Sequence, residues 1–336
     1  MLQNYLGLAR AQGASDLHLS AGDAPRIRCD GKLKRLEQEM TVVTSELLLE
    51  ALDETQRACL DRDKHYDFAL QLSASERYRA HYFFQQSGLS AVFRVIPENI
   101  PTLDELSASK GLRLAAEVDA GLVLLTGATG SGKSTTLASI LEHKNQRQQS
   151  HIMTLEDPIE FSFESKKSII SQRQYRQHYD DFNLALRGAL RADPDIIMLG
   201  ELRDLETIRL ALTAAETGHL VLASLHTRNA SHCISRIVDV FPATEKELVR
   251  MALADSLRAV IAQQLVPARA GGRIALFESL LVNPAVANLI RENQIVQLLS
   301  CIQTGAQQGM QSFQQAREAL LAKGWLDWLT RSWLSS

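Results

Sequence analysis

Residues 121–140 read GLVLLTGATGSGKSTTLASI, and this stretch decides the fold. An apolar run from Leu122 to Leu125 leads into a glycine-rich loop, and a segment of helical spacing follows. Between them Gly127, Ala128, Thr129, Gly130, Ser131, Gly132, Lys133, Ser134 and Thr135 fit the pattern G-x-x-x-x-G-K-S/T in the strand-to-helix context that the pattern requires. The glycines let successive backbone N–H groups curl around phosphate oxygens. The helix N-terminus near Lys133 adds partial positive charge, and the Lys133 ammonium reaches the β- and γ-phosphates. Ser134 is then the expected ligand of Mg²⁺. The stretch predicts an α/β domain that binds a nucleoside triphosphate.

Such a site needs carboxylates at the C-terminal ends of neighbouring strands, where open α/β sheets hold their ligands. Two apolar runs end in acids: His151 to Asp157 (HIMTLED) and Asp195 to Glu201 (DIIMLGE). Either acid alone is as readily a solvated strand end as a catalytic group. Beside a phosphate loop, Glu156 and Glu201 become candidates for handling water and metal. A further run, Leu220 to Thr227, is framed by His219 and His226. Gly218 reads as a helix C-cap, so His219 has an ordinary place at a helix end. His226 falls at the same strand edge as the phosphate loop and is the stronger candidate for a γ-phosphate contact.

Outward from this core, compact apolar runs alternating with helical segments predict a parallel sheet with crossover helices. After Leu248 the spacing of Leu253, Leu257, Val260, Ile261 and Leu265 predicts helix, with a strand in RIALFESLLV. The first hundred residues mix short strands (Leu17–Leu19, Arg26–Cys29, Tyr78–Phe84, Leu89–Val95) with a helical stretch from Ser45 to Leu60, which predicts a small α+β domain. Pro97 and Pro101 interrupt both patterns and mark a linker over residues 98–113, between domains at 1–97 and 114–336.

The chain has 336 residues, 45% of them hydrophobic, enough for two cores. A formal net charge of -3 supplies no general cationic field, so a nucleic-acid partner is not expected. Cys29, Cys59, Cys233 and Cys301 form no CxxC pair and read as free thiols. The N-terminus lacks the pattern of a secretory signal. No apolar stretch reaches the roughly 18–20 residues needed to span a bilayer. The expected compartment is the cytoplasm, with any membrane role exercised by docking on a partner. Near the C-terminus Trp325, Trp328 and Trp333 read as a packing face.

Seven segments, ASDLHLS, GATGSGKSTT, TLEDPIE, ALRADPDIIMLGELRD, LTAAETGHLVLASLHT, RIVDVFP and AVANLIRENQIVQL, occur over almost the whole chain in the order of one family. The chain resembles the secretion and type IV pilus ATPases, and within them the PilT-type retraction motors. The resemblance implies a PAS-like N-terminal domain, a RecA-like P-loop domain and a homo-hexameric ring that hydrolyses ATP with Mg²⁺. It also implies work on an inner-membrane pilus platform protein, with the ring held at the membrane through partners and no segment inserted in it. By matching position Glu156 acts on the attacking water, Glu201 assists the Mg²⁺ shell, and His219 and His226 belong to a histidine box. Arg77, Arg79 and Arg94 fall where the family supplies arginines to nucleotide phosphates, a task suited to the planar guanidinium fork. Ala128 stands where many relatives carry proline, and Ala287 replaces an arginine of the family's C-terminal signature. That second change keeps open a ring that serves no pilus; a nucleic-acid translocase is the other alternative.

Lys133→Ala is expected to abolish ATP turnover, because it removes the cation that meets charge developing between the β- and γ-phosphates. Turnover retained by the purified variant would contradict the reading of the loop.

Overall fold

The computed structural model describes residues 1–29, 31–36, 42–73, 76–96 and 99–326. By its packing the chain divides into two units, Met1–Asn99 with Pro158–Phe161, and Ile100–Asp157 with Ser162–Ser336.

The first unit runs α1 (Leu2–Ala11), β1 (Asp16–Ser20), β2 (Arg26–Cys29), β3 (Lys32–Arg35), α2 (Ser45–Leu49), α3 (Glu54–Asp63), β4 (His65–Gln71), β5 (Arg77–Gln85) and β6 (Gly88–Ile96). Its strands form one antiparallel sheet in the order β3-β2-β1-β6-β5-β4. Alternate residues of β1, β5 and β6, among them Leu17, Leu19, Tyr82 and Phe93, bury one face with Leu6 and Leu48. The edge strand β3 reads KLKR and is exposed throughout, so its charges guard the open ladder against further pairing. The helix expected over Ser45–Leu60 is two helices. Asp53 accepts the Gln56 N–H at 2.8 Å and the Gln56 side chain returns to the Asp53 N–H, a capping box that starts a new helix.

The second unit runs α4 (Lys110–Ala116), β7 (Gly121–Thr126), α5 (Lys133–Arg147), β8 (His151–Glu156), β9 (Ile169–Gln174), α6 (Phe182–Ala189), β10 (Ile196–Leu199), α7 (Leu205–Glu216) and β11 (Leu220–Leu225). It continues with α8 (Ala230–Asp239), α9 (Lys246–Ser256), β12 (Leu257–Pro267), β13 (Arg273–Leu281), α10 (Pro284–Arg291), α11 (Leu298–Thr304) and α12 (Phe313–Ala322). Its sheet has the order β13-β12-β7-β11-β10-β8-β9, parallel except for β13. Helices cover both faces, so successive residues of a central strand enter different cores. Leu122 and Leu124 of β7 pack in one cluster with α7 and α8, whereas Val123 and Leu125 pack in the other with α4 and α5. This is the expected α/β architecture, a P-loop domain preceded by a smaller α+β unit.

One expectation fails, and the double-sided burial explains it. Leu257–Pro267 is an eleven-residue strand, where the apolar spacing had suggested helix. Val260 points into one cluster and Ala259 and Ile261 into the other, so the run is apolar on both faces and loses the two-residue alternation that marks a strand. Near the C-terminus Trp325 is exposed, with the Lys323 ammonium 5.0 Å from its ring. Trp328 and Trp333, like Pro97, lie outside the described residues.

Ile261→Ala opens a cavity between the sheet and its covering helices. It is expected to cost about 2–5 kcal/mol of stability, read from the urea midpoint. A loss below about 0.5 kcal/mol, the level of a surface change, would contradict the buried-strand placement.

Candidate functional site

Parallel pairing sets the site before any side chain is considered. β7, β11, β10 and β8 are neighbours and point the same way, so their C-terminal ends deliver the glycine loop, His226, Glu201 and Glu156 to one edge of the sheet. The β7–β11 pair runs in register from Gly121 opposite Leu220 to Thr126 opposite Leu225. Just past the last pair, the Thr126 hydroxyl lies 2.6 Å from the Thr227 hydroxyl and accepts the Thr227 N–H at 2.9 Å. This clasp fixes the exits of the two strands, one into the glycine loop and one through His226.

Two of the loop glycines sit close against Gln263. A Cβ on Gly127 would lie 2.4 Å from the Gln263 carbonyl oxygen, and one on Gly132 would lie 2.8 Å from Gln263 Nε2. Gly132 also has φ +89°, which favours glycine, and it caps the start of α5. The Gln263 side chain accepts the Thr136 hydroxyl at 2.7 Å, so β12 braces the first turn of α5. Lys133, only 8% exposed, donates to the carbonyls of Gly127 at 2.8 Å and Ala128 at 3.1 Å. Ser134 is exposed at the helix start.

From Lys133 a chain of polar contacts crosses three adjacent strand ends. Lys133 Nζ is 3.3 Å from His226 Nδ1, and His226 Nε2 is 3.3 Å from Glu201 Oε1. Arg203 Nε donates to Glu201 Oε2 at 3.0 Å, and its Nη1 lies 3.2 Å from Asp157. Burial works against the Arg203 charge, but the hydrogen bond and the charge of Glu201, with Asp157, outweigh it and raise the guanidinium pKa. Arg203 is therefore a fixed cation between two acids.

Glu156 stands beside this chain and is 7% exposed. Its Oε1 accepts the Thr154 hydroxyl at 2.7 Å and the Gln172 amide at 3.1 Å. Its backbone carbonyl accepts the Tyr175 N–H and the Tyr179 hydroxyl. Burial, then the nearby charges of Asp157 and Glu156, push the Tyr179 phenol pKa up, so it remains a neutral donor.

Other expected residues are not at this edge. His219 precedes β11 at its opposite end, where its Nδ1 lies 3.0 Å from the Ala214 carbonyl. Six residues of strand separate it from His226 by about 20 Å. The grouping of His219 with the phosphate loop therefore has no counterpart in this fold unit, and His219 closes the end of α7. Arg77, Arg79 and Arg94 belong to the first unit and share one face of its sheet, Arg79 opposite Arg94 and Arg77 two residues away. Arg94 donates to Asp16 at 3.0 Å, Arg79 lies 3.8 Å from both Asp67 and Glu160, and Arg77 reaches the Ile159 carbonyl at 3.5 Å.

Sequence reasoning missed Thr126, Thr154, Gln172, Arg203, Thr227 and Gln263. Thr126 and Thr227 stand directly beside chosen residues and Arg203 two positions from Glu201, a weak signal in each case. Gln172 and Gln263 lie on strands the sequence did not reveal, so no signal pointed to them.

The type II/IV secretion system protein family matches residues 1–328. The chain is 48% identical to the type IV pilus retractation ATPase PilT of Pseudomonas aeruginosa, covering 96% of this chain and 94% of that one. It is also 48% identical to an Escherichia coli protein, YggR, described only as uncharacterized, over 96% of this chain and 99% of that one. A crystal structure of the pilus retraction motor PilT with bound ADP superposes with a TM-score of 0.88 at 41% identity, covering 98% and 95% of the two chains.

Thr126→Val keeps the shape of the strand end but leaves the Thr227 N–H without its acceptor. A loss of about 1–3 kcal/mol is expected, read from the urea midpoint, and an unchanged midpoint would show that the clasp carries no load.

Proposed function

The chain belongs to the type II/IV secretion system protein family, and on that premise we propose that it is an ATP-hydrolysing motor subunit driving retraction of type IV pili. One observation carries the chemistry: the loop lysine, His226 and Glu201 are linked across the ends of three adjacent parallel strands, with Glu156 beside them.

In this reading the backbone N–H groups of residues 128–133 and the N-terminus of α5 hold the phosphates. Lys133 exchanges its carbonyl partners for phosphate oxygens. Glu156, held by the Thr154 hydroxyl and the Gln172 amide, takes a proton from the attacking water. His226 touches both Lys133 and Glu201, so it is suited to report whether the γ-phosphate is present. Ser134 and Glu201 are the proposed protein ligands of Mg²⁺. Their oxygens are the hard donors that this cation takes, and it commonly keeps waters and phosphate oxygens for the rest. The described residues hold no group of three or more His, Cys, Asp or Glu for a metal, which suits a cation brought by its nucleotide. When bound, Mg²⁺ neutralises charge on the β- and γ-phosphates.

A triphosphate calls for more cations than Lys133, because Arg203 already serves Glu201 and Asp157. Arg77, Arg79 and Arg94 are the proposed additional phosphate ligands, and a homo-hexamer is the proposed active species. No described helix is long and apolar enough to cross a membrane. The proposed site of action is the cytoplasmic face of the inner membrane, through a pilus platform protein. Ala287, 7% exposed on α10, favours keeping a second reading, a ring of the same chemistry that serves no pilus.

Glu156→Gln is expected to lower ATP turnover by at least 100-fold, the low end for loss of a general base, while nucleotide affinity stays within about threefold, an ordinary peripheral loss. Parental turnover in the purified variant would move the base elsewhere.

A further inference from the structure

We infer that Gln172 is a positioning residue for ATP hydrolysis, holding the Glu156 carboxylate in the geometry from which it takes the proton of water. The inference rests on the proposed role of Glu156 and goes beyond it.

The placement follows from strand geometry. β8 and β9 pair in parallel with Thr154 opposite Gln172, so these two side chains share one face of the sheet. Two residues along the same strand, Glu156 shares that face. Its Oε1 accepts both the Thr154 hydroxyl at 2.7 Å and the Gln172 Nε2 at 3.1 Å. The orientation of the glutamine amide is itself fixed. Gln172 Oε1 accepts the backbone N–H of Phe163 at 3.0 Å, which leaves the NH₂ end turned to Glu156. A flipped amide would set an oxygen against the carboxylate and an NH₂ against the Phe163 N–H, losing both bonds.

Two donors on one oxygen restrain rotation of the Glu156 carboxylate. A buried carboxylate that swings freely spends little time aligned with water, and general-base catalysis depends on that alignment. Gln172 carries no charge, so it orients the base without adding a competing cation. The Tyr179 phenol, which donates to the Glu156 backbone carbonyl, interacts with the charges of Glu156, Asp157, Arg173 and Arg203. None of them changes in the test below.

Gln172→Glu separates positioning from folding. The introduced carboxyl keeps an acceptor for the Phe163 N–H and sets an acceptor, not a donor, against Glu156. At pH 8 turnover is expected to fall by about tenfold or more, the loss of one charge-assisted hydrogen bond, with nucleotide affinity within about threefold. As pH falls towards 6, the two carboxyls come to share a proton, whose apparent pKa is raised by their like charges. The introduced group then donates again, so the ratio of variant to parent turnover is expected to rise. Gln172→Leu, which cannot donate at any pH, is expected to be slow without this recovery. Equal loss in both variants with no pH-dependent recovery would overturn the inference, and so would parental turnover in both. If Glu156→Gln itself hydrolyses ATP normally, the role of Glu156 fails first, an outcome distinct from failure of Gln172 alone.

Discussion

Everything at the candidate site depends on the parallel, in-register pairing of β7 with β11, closed by the clasp between Thr126 and Thr227. Parallel strands place their C-terminal ends together, and a buried sheet leaves the chain little freedom to shift. A slip of one residue would exchange Leu122 and Leu124 with Val123 and Leu125 between two differently shaped cores. The same slip would move the glycine loop away from His226. Packing within the sheet and geometry at its edge are therefore one constraint.

The second constraint is electrostatic. Lys133, His226, Glu201, Arg203 and Asp157 alternate donors and acceptors along the sheet edge. Lys133 is the buried member, and a buried charge persists only when partnered, because an isolated one costs several kcal/mol to desolvate. Under the proposed function, an entering phosphate would compete for Lys133 with the Gly127 and Ala128 carbonyls and with His226. Contacts between neighbours link Lys133 through His226 to Glu201, and from there through Arg203 to Asp157 at the end of β8. Under the proposed function it would be a short route from nucleotide state to the strand carrying Glu156.

The placement of the glycine loop, both acids and His226 at one sheet edge was legible because each is a local pattern: a strand that ends in a specific residue. The α/β class was legible for the same reason. The strand Leu257–Pro267 was not, since burial on both faces erases the alternation that separates strand from helix. Neither was the strand Ile169–Gln174, whose last four residues, Ser171 to Gln174, are all polar. Gln172 and Gln263 stayed hidden with those strands, because their partners are distant in sequence and only the fold brings them together. His219 shows the converse. It looks like a mate of His226 in the sequence, yet one strand length separates them.

Retraction driven by hydrolysis at this loop is read most directly from the shortening speed of fluorescently labelled pili, in cells lacking any other retraction motor and carrying either the parent chain or Lys133→Ala at equal abundance. Pili are expected to shorten with the parent chain and to remain extended with the variant. Extended pili in both strains, with parental ATP turnover intact in the purified protein, would contradict a role in retraction and assign the chain to another task.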